Sequence, residues 1–178
     1  MSSDPILHPI PPVFDARSRI LILGSFPSVR SREEGFFYGH PRNRFWTVLA
    51  RIMEEPEPAS VEEKKAFLLR NRIALWDVIR SCSLTGSSDS SIRDVLPNDL
   101  SEILSAADIR AVFVNGRTAE KLYQTWIAPA TGIDCVPLPS TSPANAAWNL
   151  DRLTESWSAI LPFLQDPRIV PDSRKSFP

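Results

Sequence analysis

The chain has 178 residues, of which 43 % are hydrophobic, and its formal net charge is −1. This length predicts one compact domain over residues 1–178, with irregular termini at 1–18 and 166–178, that folds without a disulfide or metal. The near-zero charge excludes global electrostatic attraction to nucleic acid, so any such contact requires a local basic patch.

The spacing of the cysteines and the first residues of the chain indicate which metal sites to expect and in which compartment the protein works. Cys82 and Cys135 belong to no C-x-x-C or cysteine–histidine pattern, which argues against a zinc site or an iron–sulfur cluster. Two unpaired cysteines and a start without signal-peptide features indicate a cytoplasmic protein. No apolar stretch approaches the roughly 18 residues of a membrane span. We therefore expect no metal and no membrane association.

Apolar spacing predicts the elements in chain order. A proline-rich, irregular start precedes a strand at 19–23, a loop at 24–41, a helix at 42–53 and a helix at 60–70 capped by Ser60. There follow a strand at 73–76, a polar loop at 81–91, a helix at 98–106 capped by Asn98, a strand at 111–114, a helix at 117–127, a strand at 133–138 and a long helix at 144–164.

The predicted strands are apolar throughout and alternate with helices. This pattern is typical of a parallel sheet covered by helices on both faces. Ligands in such folds bind beyond the carboxyl ends of the strands, which directs attention to the loops that begin at Gly24, Asp77, Asn115 and Pro139. We assign no role to Asn115, because Asn-Gly also simply ends a strand.

The first of these loops combines aromatic, basic and amide side chains ahead of a helix. Phe26, Phe37 and Tyr38 offer stacking faces for a planar base, with a core position as the equal alternative. Phe45 and Trp46 have helical spacing and are predicted as core residues.

The last loop is rich in serine and proline, with the sequence Leu138-Pro139-Ser140-Thr141-Ser142-Pro143-Ala144-Asn145. The predicted helix after it presents free N–H groups, which favours a phosphate clamp. The alternative is an ordinary helix cap.

Taken together, the two loops are more specific than either alone. Gly24-Ser25-Phe26-Pro27-Ser28 followed by Gly39-His40-Pro41-Arg42-Asn43-Arg44-Phe45-Trp46 resembles the first signature of the uracil-DNA glycosylase superfamily, closest to its DNA-deoxyinosine (hypoxanthine-DNA) glycosylase branch. The serine–proline loop is similar to that branch's second signature. Leu75-Trp76-Asp77-Val78 and Gly86-Ser87-Ser88-Asp89-Ser90 also resemble segments that shape the base pocket.

The resemblance implies a three-layer α/β/α sandwich around a four-stranded, mainly parallel sheet. It further implies a monofunctional, cofactor-free glycosylase that flips a damaged base out of double-stranded DNA and hydrolyses its N-glycosidic bond. Hypoxanthine is the expected base, and we assume a monomer.

The resemblance also implies site residues. Phe26 stands where many relatives carry a water-positioning Asp or Asn, so Asn43 is the expected catalytic residue, together with Ser25. The expected base-binding residues are Phe26, Tyr38, His40 and Asp77, and the expected phosphate-binding residues are Ser140, Ser142 and Asn145. Loop-stabilising roles for Asn43, His40 and Asp77 are the structural alternatives.

Two other functions remain open on the sequence. One is a mismatch-type uracil/thymine glycosylase, against which Phe26 argues. The other is a non-catalytic nucleic-acid-binding relative, which the missing first-motif acid or amide and the neutral charge favour.

Overall fold

The computed structural model describes residues 4–85 and 89–165. Its elements in chain order are β1 (Ile6–Leu7), β2 (Ile20–Gly24), α1 (Val29–Glu34), α2 (Phe45–Met53), α3 (Val61–Arg70), β3 (Ile73–Asp77), β4 (Ile79–Ser83), a 3-10 turn (Asp89–Ser91), β5 (Arg93–Pro97), α4 (Ser101–Ala106), β6 (Ala111–Asn115), α5 (Arg117–Trp126), α6 (Ala128–Thr131), β7 (Cys135–Leu138), α7 (Leu150–Trp157), a 3-10 turn (Ser158–Ile160) and α8 (Leu161–Leu164).

A four-stranded parallel sheet forms the centre of the fold. Its strand order is β3-β2-β6-β7, and every neighbouring pair is parallel. The four predicted strands are therefore confirmed, with boundaries shifted by one or two residues. Pro137, which cannot donate to a ladder, lies in β7 at the edge of the sheet.

Helices cover both faces of this sheet. Ile20 and Ile22 of β2 pack toward a core built from α2, α3 and α7, whereas Leu21 and Leu23 pack toward α4 and α5. Alternate residues of a strand point to opposite faces, so a strand buried on both faces must be apolar throughout. This is the predicted three-layer α/β/α sandwich. Phe45 and Trp46 are buried in the first core, as predicted.

A second, antiparallel sheet was not predicted. Its strand order is β1-β4-β5. β1 lies inside the segment 1–18 that we expected to be irregular, and β4 extends into the expected polar loop 81–91. The sequence pattern misses β4 because its buried positions 81 and 82 are Ser and Cys rather than large apolar residues.

Three helix predictions also need correction. The loop predicted at 24–41 contains α1, which Ser28 caps. Asn98 caps no helix; its side-chain N–H groups donate to the Asp77 and Ile79 carbonyls. The expected helix at 144–164 begins only at Leu150, with Asn149 as its cap, and becomes a 3-10 turn at Ser158.

Three parts of the predictions lie outside the described residues. These are positions 1–3 of the expected irregular start, positions 86–88 of the expected pocket segment and the expected irregular terminus at 166–178. Within the described ranges, no helix combines the length and the apolarity needed to cross a membrane.

Candidate functional site

A cavity of about 540 Å³ opens at the carboxyl edge of the parallel sheet. Its walls come from the loop after β2 and the start of α1, the segment from Phe37 to Asn43, the ends of β3 and β6, the serine–proline loop, and the side chains of Leu84 and Ile92. Asn43, Asp77 and Ser140 all line it. The structure therefore brings together the segments that the sequence analysis placed at one edge of the sheet, in a volume within the range of small-molecule sites.

The floor of the cavity depends on close contact between Gly24 and Asp77. The ends of β2 and β3 pair so that these two residues are neighbours. A β-carbon at Gly24 would lie 2.5 Å from Asp77 Oδ1 and 2.8 Å from the Tyr38 hydroxyl oxygen. Only a residue without a side chain permits this approach.

Asp77 is buried and is held by a histidine that the sequence analysis did not select. His8 Nε2 lies 2.7 Å from Asp77 Oδ2, and the two side chains are 2 % and 5 % exposed. His8 Nδ1 accepts a hydrogen bond from the Ile10 N–H. A neutral ring with an accepting Nδ1 carries its proton on Nε2, so His8 donates to the Asp77 carboxylate.

Tyr38 contributes a buried hydroxyl beside this carboxylate. The hydroxyl makes no hydrogen bond among the described residues, and the ring stacks on Phe45 with centroids 4.0 Å apart. Burial, and then the charge of Asp77, raise the pKa of Tyr38, an effect that nearby Asn115 partly offsets. The hydroxyl is therefore a protonated donor with no partner among the described residues.

Asn43 belongs to a polar network that joins three segments. Its Oδ1 accepts from the Phe45 N–H at 3.0 Å and from the Thr141 hydroxyl at 2.9 Å. Thr141 in turn exchanges two hydrogen bonds with the Asn115 side chain. Both lone pairs of Asn43 Oδ1 are thus used, whereas its Nδ2 makes no hydrogen bond within the described part of the chain. Asn43 can therefore donate into the cavity but has no free acceptor.

Arg44 holds the serine–proline loop against the first loop. Its guanidinium donates to four carbonyl oxygens, those of Thr141, Ser142, Asn145 and Trp148. A planar cation with five donors suits such a ring of carbonyls. Arg44 is therefore a structural clamp, which orients the serine–proline loop around the cavity.

The predicted phosphate clamp by a helix N-terminus is wrong. Because α7 begins only at Leu150, no helix starts behind Ser142. The N–H groups of Ser142, Ala144 and Asn145 already bond within the loop, to Ser140 Oγ, Ser142 Oγ and the Ser142 carbonyl. Two prolines and these local bonds stabilise an irregular loop instead of a helix.

The remaining predicted site residues fall into two groups. Ser25, Phe26, His40 and Ser142 line the main cavity. Asn145 does not; it lines an adjoining cavity that also contacts Ser140 and Ser142, and its side chain donates to the Ser140 carbonyl. His40 Nδ1 accepts from the Arg42 N–H, in keeping with the loop-stabilising alternative.

The sequence analysis missed His8 and Arg44 and assigned no role to Asn115. The strand-end rule did point to Asn115, which follows a strand at the same sheet edge as Asp77, but Asn-Gly also simply ends a strand. His8 had only its rarity as a signal, since the chain contains two histidines. Arg44 had none, because its acceptors are backbone carbonyls about a hundred positions away.

Metal ligation finds no support among the described residues, which contain no group of three or more His, Cys, Asp or Glu side chains arranged to hold an ion. Cys82 is buried and Cys135 is half-buried, and neither forms a disulfide. Burial raises the pKa of both thiols, so neither is activated as a thiolate.

Comparison with known proteins gives a consistent result. The family model described as "Uracil DNA glycosylase superfamily" matches residues 11–161. A hypoxanthine DNA glycosylase of Methanosarcina acetivorans is 38 % identical over 84 % of this chain and 94 % of its own, and one of Methanosarcina barkeri is 36 % identical over 76 % and 85 %. The solution structure of a candidate uracil DNA glycosylase from Methanosarcina acetivorans superimposes with a TM-score of 0.75 at 36 % identity, covering 88 % of this chain and 97 % of that one. The chain belongs to the uracil DNA glycosylase superfamily.

Proposed function

We propose that this protein is a monofunctional DNA glycosylase that excises hypoxanthine from deaminated adenine sites in double-stranded DNA. The two relatives named hypoxanthine DNA glycosylase support the choice of base. The observation that carries the proposal is the pairing, in one cavity, of the buried Asp77 carboxylate with the free Asn43 amide donor.

This pair suits the edge of a deaminated purine. Hypoxanthine presents a lactam N1–H beside the carbonyl O6, whereas adenine presents an acceptor N1 beside a donor amino group. Asp77 Oδ1 accepts from N1–H, and Asn43 Nδ2 donates to O6 or a ring nitrogen. With adenine, the acceptor N1 would face the acceptor Asp77 Oδ1. A site built to accept a hydrogen bond from its substrate strongly rejects an analogue that lacks the donor.

Cleavage of the N-glycosidic bond needs different help at the base and at the sugar. As the bond breaks, the base gains negative charge, and a fixed donor in a water-poor cavity stabilises it. Asn43 supplies that donor. The anionic Asp77 opposes charge on the base, so we assign Asp77 to recognition only.

The first motif, Gly24 to Ser28, offers no carboxylate to orient the attacking water. Phe26 stands there, and the acceptor of Asn43 is already used by Phe45 and Thr141. We assign water placement to the hydroxyl and backbone of Ser25, which lines the same cavity. No lysine lines the cavity in the described part of the chain, which supports hydrolysis by water over an amine-linked intermediate.

Extrusion of the nucleotide requires stacking faces and contacts to the flanking phosphates. Phe26 and Tyr38 provide rings on the cavity wall, and His40 lies beside them. Ser140, Ser142 and Asn145 are assigned to the flanking phosphates through side-chain groups, since their local N–H groups are occupied. A cytoplasmic monomer remains part of the proposal.

A panel of labelled duplexes tests this function. Duplexes that contain hypoxanthine, xanthine, uracil or a thymine mismatch are incubated with the protein in a chelator, then treated with alkali to cut abasic sites. We expect strand cleavage with hypoxanthine and a loss of about 100-fold or more in Asn43→Ala, the size of effect known for one oxyanion donor. Binding of modified duplex without cleavage would instead establish a non-catalytic protein, and preference for the thymine mismatch would establish the mismatch-type enzyme.

A further inference from the structure

The contact between His8 and Asp77 has a role that packing alone does not explain. His8 follows β1, and β1 pairs with β4 through Ile6 and Leu7. The sheet thus carries a polar ring to the floor of the cavity from a segment 69 positions away from Asp77. Both side chains are almost fully buried, so His8 Nε2 and Asp77 Oδ2 satisfy each other's hydrogen bonding.

The surroundings of His8 exclude water and restrict the ring. Its centroid lies 5.8 Å from that of Phe26, 6.1 Å from Phe37 and 6.3 Å from Trp76. Because Nδ1 accepts from the Ile10 N–H at 3.1 Å, a proton added there would face another donor. An imidazole that accepts at Nδ1 carries its proton on Nε2, which is directed at Asp77.

The two oxygens of Asp77 consequently differ. Oδ2 is occupied by His8, whereas Oδ1 faces Gly24 and the Tyr38 hydroxyl and accepts no hydrogen bond from a described residue. A donor on one oxygen fixes the orientation of a buried carboxylate, which leaves the other oxygen as a directed acceptor.

We propose that His8 is a positioning residue that fixes the Asp77 carboxylate with Oδ1 aimed as an acceptor at the N1–H of a deaminated purine, and so prevents the site from accepting adenine. This inference rests on the proposed function. It assigns selectivity for the base to a residue that does not itself contact the base.

Two substitutions separate this role from a merely structural one. In His8→Gln the amide nitrogen takes the place of Nε2 and still donates to Asp77, but nothing accepts from the Ile10 N–H. In His8→Asn the amide oxygen takes the place of Nδ1 and still accepts from Ile10, but Asp77 loses its donor. The variants lose similar aromatic packing, so they form a matched pair.

The assay measures single-turnover release of hypoxanthine and of adenine, with duplex affinity measured separately. We expect His8→Asn to lower the rate on hypoxanthine about 10- to 100-fold, the usual cost of losing a group that orients a functional side chain, with duplex affinity unchanged. The ratio of hypoxanthine to adenine release should fall with it. His8→Gln should stay within about threefold of the wild type. Equal losses in both variants, or no loss in His8→Asn, would overturn the proposal.

A second measurement needs no variant. Nitrogen-15 NMR of the wild-type imidazole at pH 7 should show a protonated Nε2 and an unprotonated Nδ1, and the opposite tautomer or an imidazolium ion would also overturn the proposal. Wild-type protein that releases no hypoxanthine would reject the proposed function alone, since the tautomer still reports whether His8 donates to Asp77.

Discussion

Replacement of Gly24 by alanine should disable the cavity while leaving the fold intact. The added methyl group would lie 2.5 Å from Asp77 Oδ1, whereas ordinary van der Waals contact begins at 3.4 Å. Asp77 must therefore move by about 0.9 Å, the difference between these two distances, and the Tyr38 hydroxyl must also shift. Gly24 has no positive φ angle, so the backbone itself tolerates alanine and the effect is one of side-chain collision.

The size of the effect follows from this displacement. A misplacement of about 1 Å in a catalytic site can cost about 100-fold in rate. Overpacking of a dense interior costs about 1–3 kcal/mol of unfolding free energy, which for a chain of this size lowers Tm by about 2–12 °C. We therefore expect Gly24→Ala to remain folded at 25 °C and to release hypoxanthine about 100-fold more slowly than the wild type.

Gly132→Ala is the matched control. Gly132 has a φ of 69° at the end of α6, with nothing within 4 Å of an added β-carbon. Alanine there costs about 1 kcal/mol through backbone strain alone, and the excision rate should not change. The assay is single-turnover release at 25 °C beside thermal denaturation of both variants. Gly24→Ala activity within a few-fold of the wild type would refute the requirement for Asp77 at its observed position.

Three further predictions concern the groups around the cavity. Arg44→Gln should lower the free energy of unfolding by about 2–4 kcal/mol, because carbonyls that are now bonded to a cation lose their donor. Urea denaturation measures this loss. Hydrogen exchange should become faster across residues 140–149, and unchanged exchange there would contradict the role of Arg44 as a clamp. Tyr38→Phe should raise the free energy of unfolding at pH 7 by up to about 1 kcal/mol, because it removes a buried hydroxyl without a described partner. Because its pKa is raised, Tyr38 stays protonated above pH 10 in the folded protein but ionises in the unfolded chain. Wild-type stability should therefore fall above that pH more steeply than the stability of Tyr38→Phe. Parallel pH profiles would show that this tyrosine is not responsible. Asp77→Asn should reduce selectivity for hypoxanthine over adenine more than it reduces duplex binding, since an amide offers adenine N1 a donor; competition between the two duplexes tests this, and unchanged selectivity would remove Asp77 from recognition.

Local sequence patterns predict the central sheet because its strands are buried on both faces. β2 and β6 are continuous apolar runs that end in Gly24 and Asn115, and this signal needs no knowledge of neighbouring elements. The rule that parallel strands present ligands at their carboxyl ends then directs attention to Asp77 and the serine–proline loop. Strand β4, the middle strand of the second sheet, has Ser and Cys at buried positions and carries no such pattern.

The spacing of apolar residues also predicted the wrong start for the last helix. Helical spacing favoured 144–164, yet the four carbonyls that Arg44 holds, between Thr141 and Trp148, require an irregular backbone up to Asn149. The contacts of Arg44 thus outweigh the local preference of the serine–proline loop for a helix, because tertiary contacts commonly override helix propensity.

The amino-acid sequence by itself determined which strands of the central sheet are buried, which loops meet at the carboxyl edge of that sheet, and the family to which these loops belong. Only the tertiary structure decided which side chains meet there: His8 with Asp77, Thr141 with Asn43, and Arg44 with the carbonyls of the serine–proline loop. The physical reason is that burial leaves a periodic trace within each element. A hydrogen bond between residues 69 or 98 positions apart leaves none, because it depends on how separate elements pack.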